Sequence, residues 1–119
     1  MEHVLVEFGK QNKNGRTYLK EQITELKNLV PCTFGHKEDK YGMTIFNPGI
    51  NDESTCAVAK IRMDNNGIYA EVNPYENKKE QFDEMMMAGC KIVSAGTGNV
   101  NEKGEVSDFR LHYVFLTKD

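Results

Sequence analysis

Ser94 stands between a short apolar run, Ile92-Val93, and a small-residue segment, Ala95-Gly96-Thr97-Gly98. A serine so placed can attack a carbonyl when a base lies within hydrogen-bond reach, and histidine is the usual base. The chain has three histidines, His3, His36 and His112. His3 is at the N-terminus, and His112 interrupts the apolar run Leu111 to Tyr113. His36 follows Gly35 at the start of a polar stretch, so it is the candidate base for Ser94. The alternative is a plain strand serine before a glycine turn. Gly96-Thr97-Gly98 also resembles part of a phosphate cradle, but the dinucleotide fingerprint needs G-x-G-x-x-G opening a helix. A loop and a strand follow here, so that reading is rejected. His36, Glu38 and Asp39 carry ligand chemistry but sit close together with no second cluster in support, which reads as a solvated charged loop. No metal or other cofactor is expected. Cys32, Cys56 and Cys90 show no C-x-x-C spacing and read as reduced, partly buried thiols.

The elements that must position these groups belong to a chain of 119 residues, the size of one domain spanning 1–119. Apolar residues make up 39% and charged residues 28%, the balance of a globular chain rather than a disordered one. A net charge of −3 and a basic run no longer than Lys78-Lys79 argue against a nucleic-acid partner. No long apolar run and no signal-peptide pattern occur, so a soluble, cytosolic chain without a membrane association is expected.

Val4, Val6 and Phe8 alternate and predict a first strand, followed by a polar turn at Asn14-Gly15. Leu19, Ile23, Leu26 and Val30 fall on one face of a helix that Pro31 would stop. Cys32 to Ser54, with Gly35, Gly42, Pro48 and Gly49, reads as a long irregular loop of the kind that small domains keep for a function. Thr55 to Met63 and Ile68 to Asn73 predict a hairpin joined by Asp64-Asn65-Asn66-Gly67, since Asn and Gly tolerate positive φ. Asn77 opens a second helix with Glu80 as a capping-box partner, and Gly89 closes it. Within it, Phe82, Met85 and Met86 have core-facing spacing. Ile92 to Ala95 is a short strand, Asn99 to Gly104 a loop, and Val106 to Leu116 the last strand, with Phe109, Leu111, Tyr113 and Phe115 alternating. The expectation is an α+β fold with about five strands and two helices around a small, mainly antiparallel sheet or barrel.

Several segments together resemble the prohead (capsid maturation) proteases of tailed phages, whose fold is related to the herpesvirus assemblins. Asn12-Lys-Asn-Gly-Arg-Thr-Tyr18 is similar to the family's N-x-N-G-R-x-Y motif after the first strand. Gly35-His36 is similar to the segment bearing the family's catalytic histidine. Ala88-Gly89, then Val93-Ser94 and Gly96-x-Gly98, resemble the segment bearing its serine, and Val106-Ser-Asp-Phe-Arg-Leu111 its closing strand. The resemblance implies that Ser94 attacks a peptide carbonyl while His36 takes its proton. Asp108 would orient His36, with His112 as the other candidate, and N–H groups of an Ala95–Gly98 turn would hold the oxyanion. It implies capsid and scaffold proteins as partners, homo-oligomers as an open option, and a place in the host cytoplasm or the phage particle.

The family's serine segment often reads S-S-R-G-x-G, with the first serine as nucleophile. Aligning the glycines places Val93 at the nucleophile, Ser94 at the second serine and Ala95 at the arginine. The expected function therefore leans to a catalytically inactive, structural or decoration protein of the particle. An active serine endopeptidase cleaving scaffold and capsid proteins is the alternative. A small cytosolic partner-binding domain unrelated to phage is the third reading.

Overall fold

The computed structural model describes residues 2–36, 41, 48 and 52–118. In chain order it contains β1 (Glu2–Glu7), β2 (Thr17–Tyr18), a 3₁₀ turn (Lys20–Gln22), β3 (Ile23–Glu25), β4 (Leu29–Thr33), β5 (Thr55–Met63) and β6 (Gly67–Pro74). A second 3₁₀ turn (Glu76–Lys78), α1 (Lys79–Met87), β7 (Lys91–Val100) and β8 (Glu105–Thr117) complete it. The sheet runs β1-β6-β5-β4-β8-β2, with β3 and β7 also paired to β8. It bends into a nearly closed barrel of mixed strands, 55% strand against 14% helix, which corrects the expected two-helix α+β fold.

The helix expected over residues 19–30 is where that correction originates. This segment lies extended along one edge of β8 in three short parallel pairings: Thr17↔Glu105, Ile23↔Phe109 and Cys32↔Val114. β8 is thirteen residues long, and β7 pairs with it along the opposite edge. Its remaining edge carries backbone groups that need partners once buried, and the 17–33 segment supplies them. β-Branched Ile23, Thr24 and Val30 suit that role, and Pro31 is accommodated in β4 instead of ending a helix. The apolar spacing is still used: Val30 is buried, and Ile23 and Leu26 pack against the core.

The hairpin lies where the sequence predicts it, with β5 and β6 antiparallel from Ala57↔Pro74 to Met63↔Ile68. Asp64 fixes the turn, because its Oδ1 accepts the N–H groups of Asn66 (2.7 Å) and Gly67 (3.1 Å). Ala57, Ala59 and Ile61 face the core and meet Val72 and Ala70 of β6. α1 is the second predicted helix. It brings Phe82 into the same apolar cluster as Ile92, Val114 and Leu116, and Gly89 closes it at φ +96°.

β-Bulges decide which residues face the barrel interior. At Leu5 the pairing steps from Val4↔Tyr69 to Val6↔Ile68, so Leu5 is the extra residue. Leu5 packs against the core while Val4 is 53% exposed, so Val4 and Val6 do not share a face. On β8 the register steps from Ala95↔Tyr113 to Gly96↔Leu111, which makes His112 the extra residue. A second step, between Thr97↔Arg110 and Asn99↔Ser107, contains Asp108 at φ +52°. Each extra residue reverses the in–out alternation of the strand. As a result Val106, Phe109, Leu111, Val114 and Leu116 all join one apolar cluster, whereas Tyr113, itself fully buried, and Phe115 lie on the opposite face of the strand. Unbroken alternation from Phe109 to Phe115 does not hold.

Candidate functional site

The end of β4 carries the chain to His36. Thr33 pairs in parallel with Phe115, and the Phe34 N–H donates to the Ser54 carbonyl at 2.8 Å. The Thr33 hydroxyl donates to the Gly35 carbonyl at 2.7 Å, and Gly35 takes φ +100°, a conformation open to glycine. The turn so fixed sets the exposed His36 ring against Phe115, with centroids 5.5 Å apart and planes at 57°. Phe115 in turn sits 6.0 Å from the Tyr113 ring.

β7 and β8 then determine which neighbour faces that ring. Val93 is directly opposite Phe115, and Ser94 is directly opposite Val114. Opposed residues of an antiparallel pair send their side chains to the same face. Val93 therefore shares the face of Phe115 and His36, while Ser94 points with Val114 to the other face. The bulges lie beyond this point, so alternation between Val93 and Ser94 is intact. Both residues nevertheless border one groove of about 850 Å³, together with Leu5, His36 and Phe115. Consecutive strand residues can border a single groove when it runs along the strand's edge. Among the described residues β7 is paired only to β8, and β1 comes near it without pairing.

The third group of the expected triad lies elsewhere. Asp108 is seven positions from Phe115 along β8, roughly 20 Å at strand rise. Its Oδ1 accepts the Thr24 hydroxyl at 2.5 Å and lies 3.6 Å from the Arg110 guanidinium, so it serves the junction of β3 and β8. His112 occupies its bulge with Nε2 3.0 Å from the Thr97 hydroxyl. Burial holds its pKa below the ordinary imidazole value. The structure thus brings His36 and Ser94 to one groove but to opposite sides of a strand, and engages Asp108 with Thr24 and Arg110 and His112 with Thr97.

The segment expected to form an oxyanion-binding turn is part of β7, because Gly96 and Thr97 pair with Leu111 and Arg110. Its glycines serve packing. A Cβ on Gly96 would lie 2.6 Å from the Arg110 carbonyl oxygen and from the Phe109 ring. Glu38 and Asp39 of the charged loop lie outside the described residues, as does most of the loop expected over residues 32–54, whose first two residues belong to β4. Among the described residues no group of three His, Cys, Asp or Glu side chains is placed to hold a metal ion. None of the described helices is long and apolar enough to cross a membrane. Phe115 as the platform for His36 has no sequence signal, since alternation assigns it to the core; the residues whose bulges move it, Asp108 and His112, stand out only as polar residues in an apolar run. Comparison of the chain with protein-family models, with curated proteins and with solved structures finds no match.

Proposed function

We propose that this protein is a non-catalytic, capsid-associated component of a phage particle, using the groove bordered by His36, Val93 and Ser94 to bind capsid or scaffold segments without cutting them. The observation that carries this reading is the opposite facing of His36 and Ser94 across β7. A serine needs its base within about 3.2 Å, and a base on the far side of a strand cannot take its proton without repacking β7 against β8. Val93, the residue that does share the face of His36, has no nucleophilic atom. Among the described residues β7 has no ladder partner besides β8, and such an edge suits an extended segment that adds as a further strand through main-chain hydrogen bonds.

The test is incubation of the protein with denatured capsid and scaffold proteins, wild type beside Ser94→Ala, with fragments resolved by mass spectrometry. Neither should produce fragments, and purified particles should contain the chain at stoichiometric copy number. Cleavage by the wild type that Ser94→Ala abolishes would establish the serine endopeptidase instead, the reading favoured by the shared groove. Absence of the chain from particles would remove the structural role.

A further inference from the structure

Cys32 and Cys56 lie in the core where β4 and β5 pair, and the proposed function uses neither. Both are fully buried. Cys32 is opposite Ala57 and Thr33 opposite Thr55, so Cys56 is the extra residue of a bulge. In a bulge of this kind two successive residues oppose one residue of the partner strand. Here that juxtaposes Cys56 with Cys32, and the two Sγ atoms are 3.8 Å apart. The Cys56 thiol also donates to the Cys32 carbonyl at 3.4 Å. Cys90, the third thiol, is buried at the start of β7, beyond the end of α1.

We infer that Cys32 and Cys56 form a reversible disulfide when the protein meets a peroxide, a latch that ties β4 to β5 at the base of the segment carrying His36. Sulfurs at 3.8 Å need to close by about 1.8 Å to reach bonding distance, a shift that rotation about the two Cα–Cβ bonds can supply. The bulge lends the backbone some freedom to follow. The pair is also electronically unequal. When Cys56 loses its proton, the Cys32 S–H faces the thiolate, which holds Cys56 below the usual thiol range. The same contact pushes Cys32 up.

Cys56, whose S–H is directed at the Cys32 sulfur, opens the reaction as the thiolate, and the product is the same if the two sulfurs exchange roles. The thiolate attacks one peroxide oxygen, the S–O bond forms as the O–O bond breaks, and hydroxide leaves. The Cys32 sulfur then attacks the resulting sulfenic sulfur, giving up its proton. The S–S bond forms, the S–O bond breaks, and a second hydroxide leaves to be protonated. Two thiols and one hydrogen peroxide give one disulfide and two waters, and a dithiol reductant reverses the change. Hydrogen peroxide is close to water in size, so brief local opening admits it to a buried pair. The latch does not depend on what the groove binds.

The experiment treats the folded protein with hydrogen peroxide, blocks the remaining thiols, and maps the peptides. The expected result is loss of two of the three free thiols, loss of two hydrogens from the intact mass, and one linked peptide joining Cys32 to Cys56. The oxidised protein should melt several degrees higher and return to its original melting temperature with dithiothreitol. Cys90→Ser should behave as the wild type, while Cys32→Ser should form no intramolecular link. Should Cys32→Ser not fold, the Cys90→Ser protein decides alone, since it holds only the proposed pair. Three unreacted thiols, stable sulfinic acid at Cys56 without a link, or links through Cys90 would overturn the inference.

Discussion

Gly96→Ala tests whether the glycine pair of β7 is there for packing. A methyl group at Gly96 would lie 2.6 Å from the Arg110 carbonyl oxygen and 2.6 Å from two Phe109 ring atoms. Neither neighbour has an easy retreat. The carbonyl belongs to the strand paired with β7, and the ring is buried and held edge-on by Tyr18 at a centroid distance of 5.1 Å. Overpacking of this kind costs about 3 kcal/mol, the upper part of the usual range, because one of the two neighbours is backbone. For a domain of this size that is a fall of roughly 10 °C in Tm. Urea unfolding at neutral pH, followed by circular dichroism, measures it directly. Gly98→Ala provides the gradient, since its methyl would meet Val106 Cγ1 at 3.0 Å and the Ser107 carbonyl at 3.1 Å, closeness that a small shift relieves. Its expected loss is about 1 kcal/mol. Combining Gly96→Ala with Phe109→Leu removes the ring contact and leaves the carbonyl, so the two changes should couple favourably by about 1 kcal/mol. A loss below about 0.5 kcal/mol for Gly96→Ala alone would refute the packing argument and leave these glycines to be explained by something other than the fold.

The two faces of α1 should differ: Phe82→Ala should lose about 3–5 kcal/mol in urea unfolding, whereas Met87→Gln, at a side chain 89% exposed, should change stability by less than about 0.5 kcal/mol. Asp64→Ala removes the acceptor for the Asn66 and Gly67 N–H groups and should destabilise the β5–β6 hairpin, seen as faster amide exchange in the turn. The bonds from the Asn66 N–H and Arg62 keep Asp64 below the ordinary carboxylate range, and the Arg62 hydrogen bond does the same for Glu2. Both contributions are present above the unfolded carboxylate values and are lost as pH falls through the folded ones. The difference between wild type and Asp64→Ala should accordingly shrink below about pH 4, and a constant difference down to acid unfolding would contradict it. Burial depresses His112 in the folded chain, so the unfolded chain takes up this proton first on acidification and stability is lost from about pH 6.5 downward. His112→Gln should flatten that part of the pH profile, and an unchanged slope would assign it elsewhere.

What was legible in the sequence depended on how local each signal is. The β5–β6 hairpin is announced by Asp64-Asn65-Asn66-Gly67, whose own side chain and flexible backbone make the turn, and α1 by spacing that its short length keeps in register. The apolar period of residues 19–30 fits a helix on local grounds, while the backbone partner that makes them extended, one edge of β8, lies some eighty residues away in the chain. Helical spacing records only which side chains go inward, and a twisted extended segment can satisfy the same record. The bulges of β8 are harder still to see. Asp108 and His112 look like isolated polar residues in an apolar strand, yet each marks a reversal of face, and the two reversals place Phe109, Leu111, Val114 and Leu116 on one side.

The candidate site depends on the same parity. Ser94 and His36 are close enough in space to border one groove, and chemical identity alone would pair them. Pairing with Val114 turns the serine away and pairing with Phe115 turns Val93 toward the imidazole, so one step along β7 separates a nucleophile from an alkyl side chain. Exchange of the two residues, Val93→Ser with Ser94→Val, would put a hydroxyl on the face of His36 while leaving the composition of the strand unchanged. If facing alone silences the site, that variant should gain amide hydrolysis toward a denatured capsid or scaffold protein. The gain should be small, since Asp108 is engaged by Thr24 and Arg110, and the loss of an orienting carboxylate lowers kcat by about 10⁴-fold in a serine protease. A variant that folds as the wild type does and shows no cleavage at all would mean that the groove lacks more than the nucleophile, with oxyanion donors the first deficit to examine because Gly96 and Thr97 are drawn into the β7–β8 ladder.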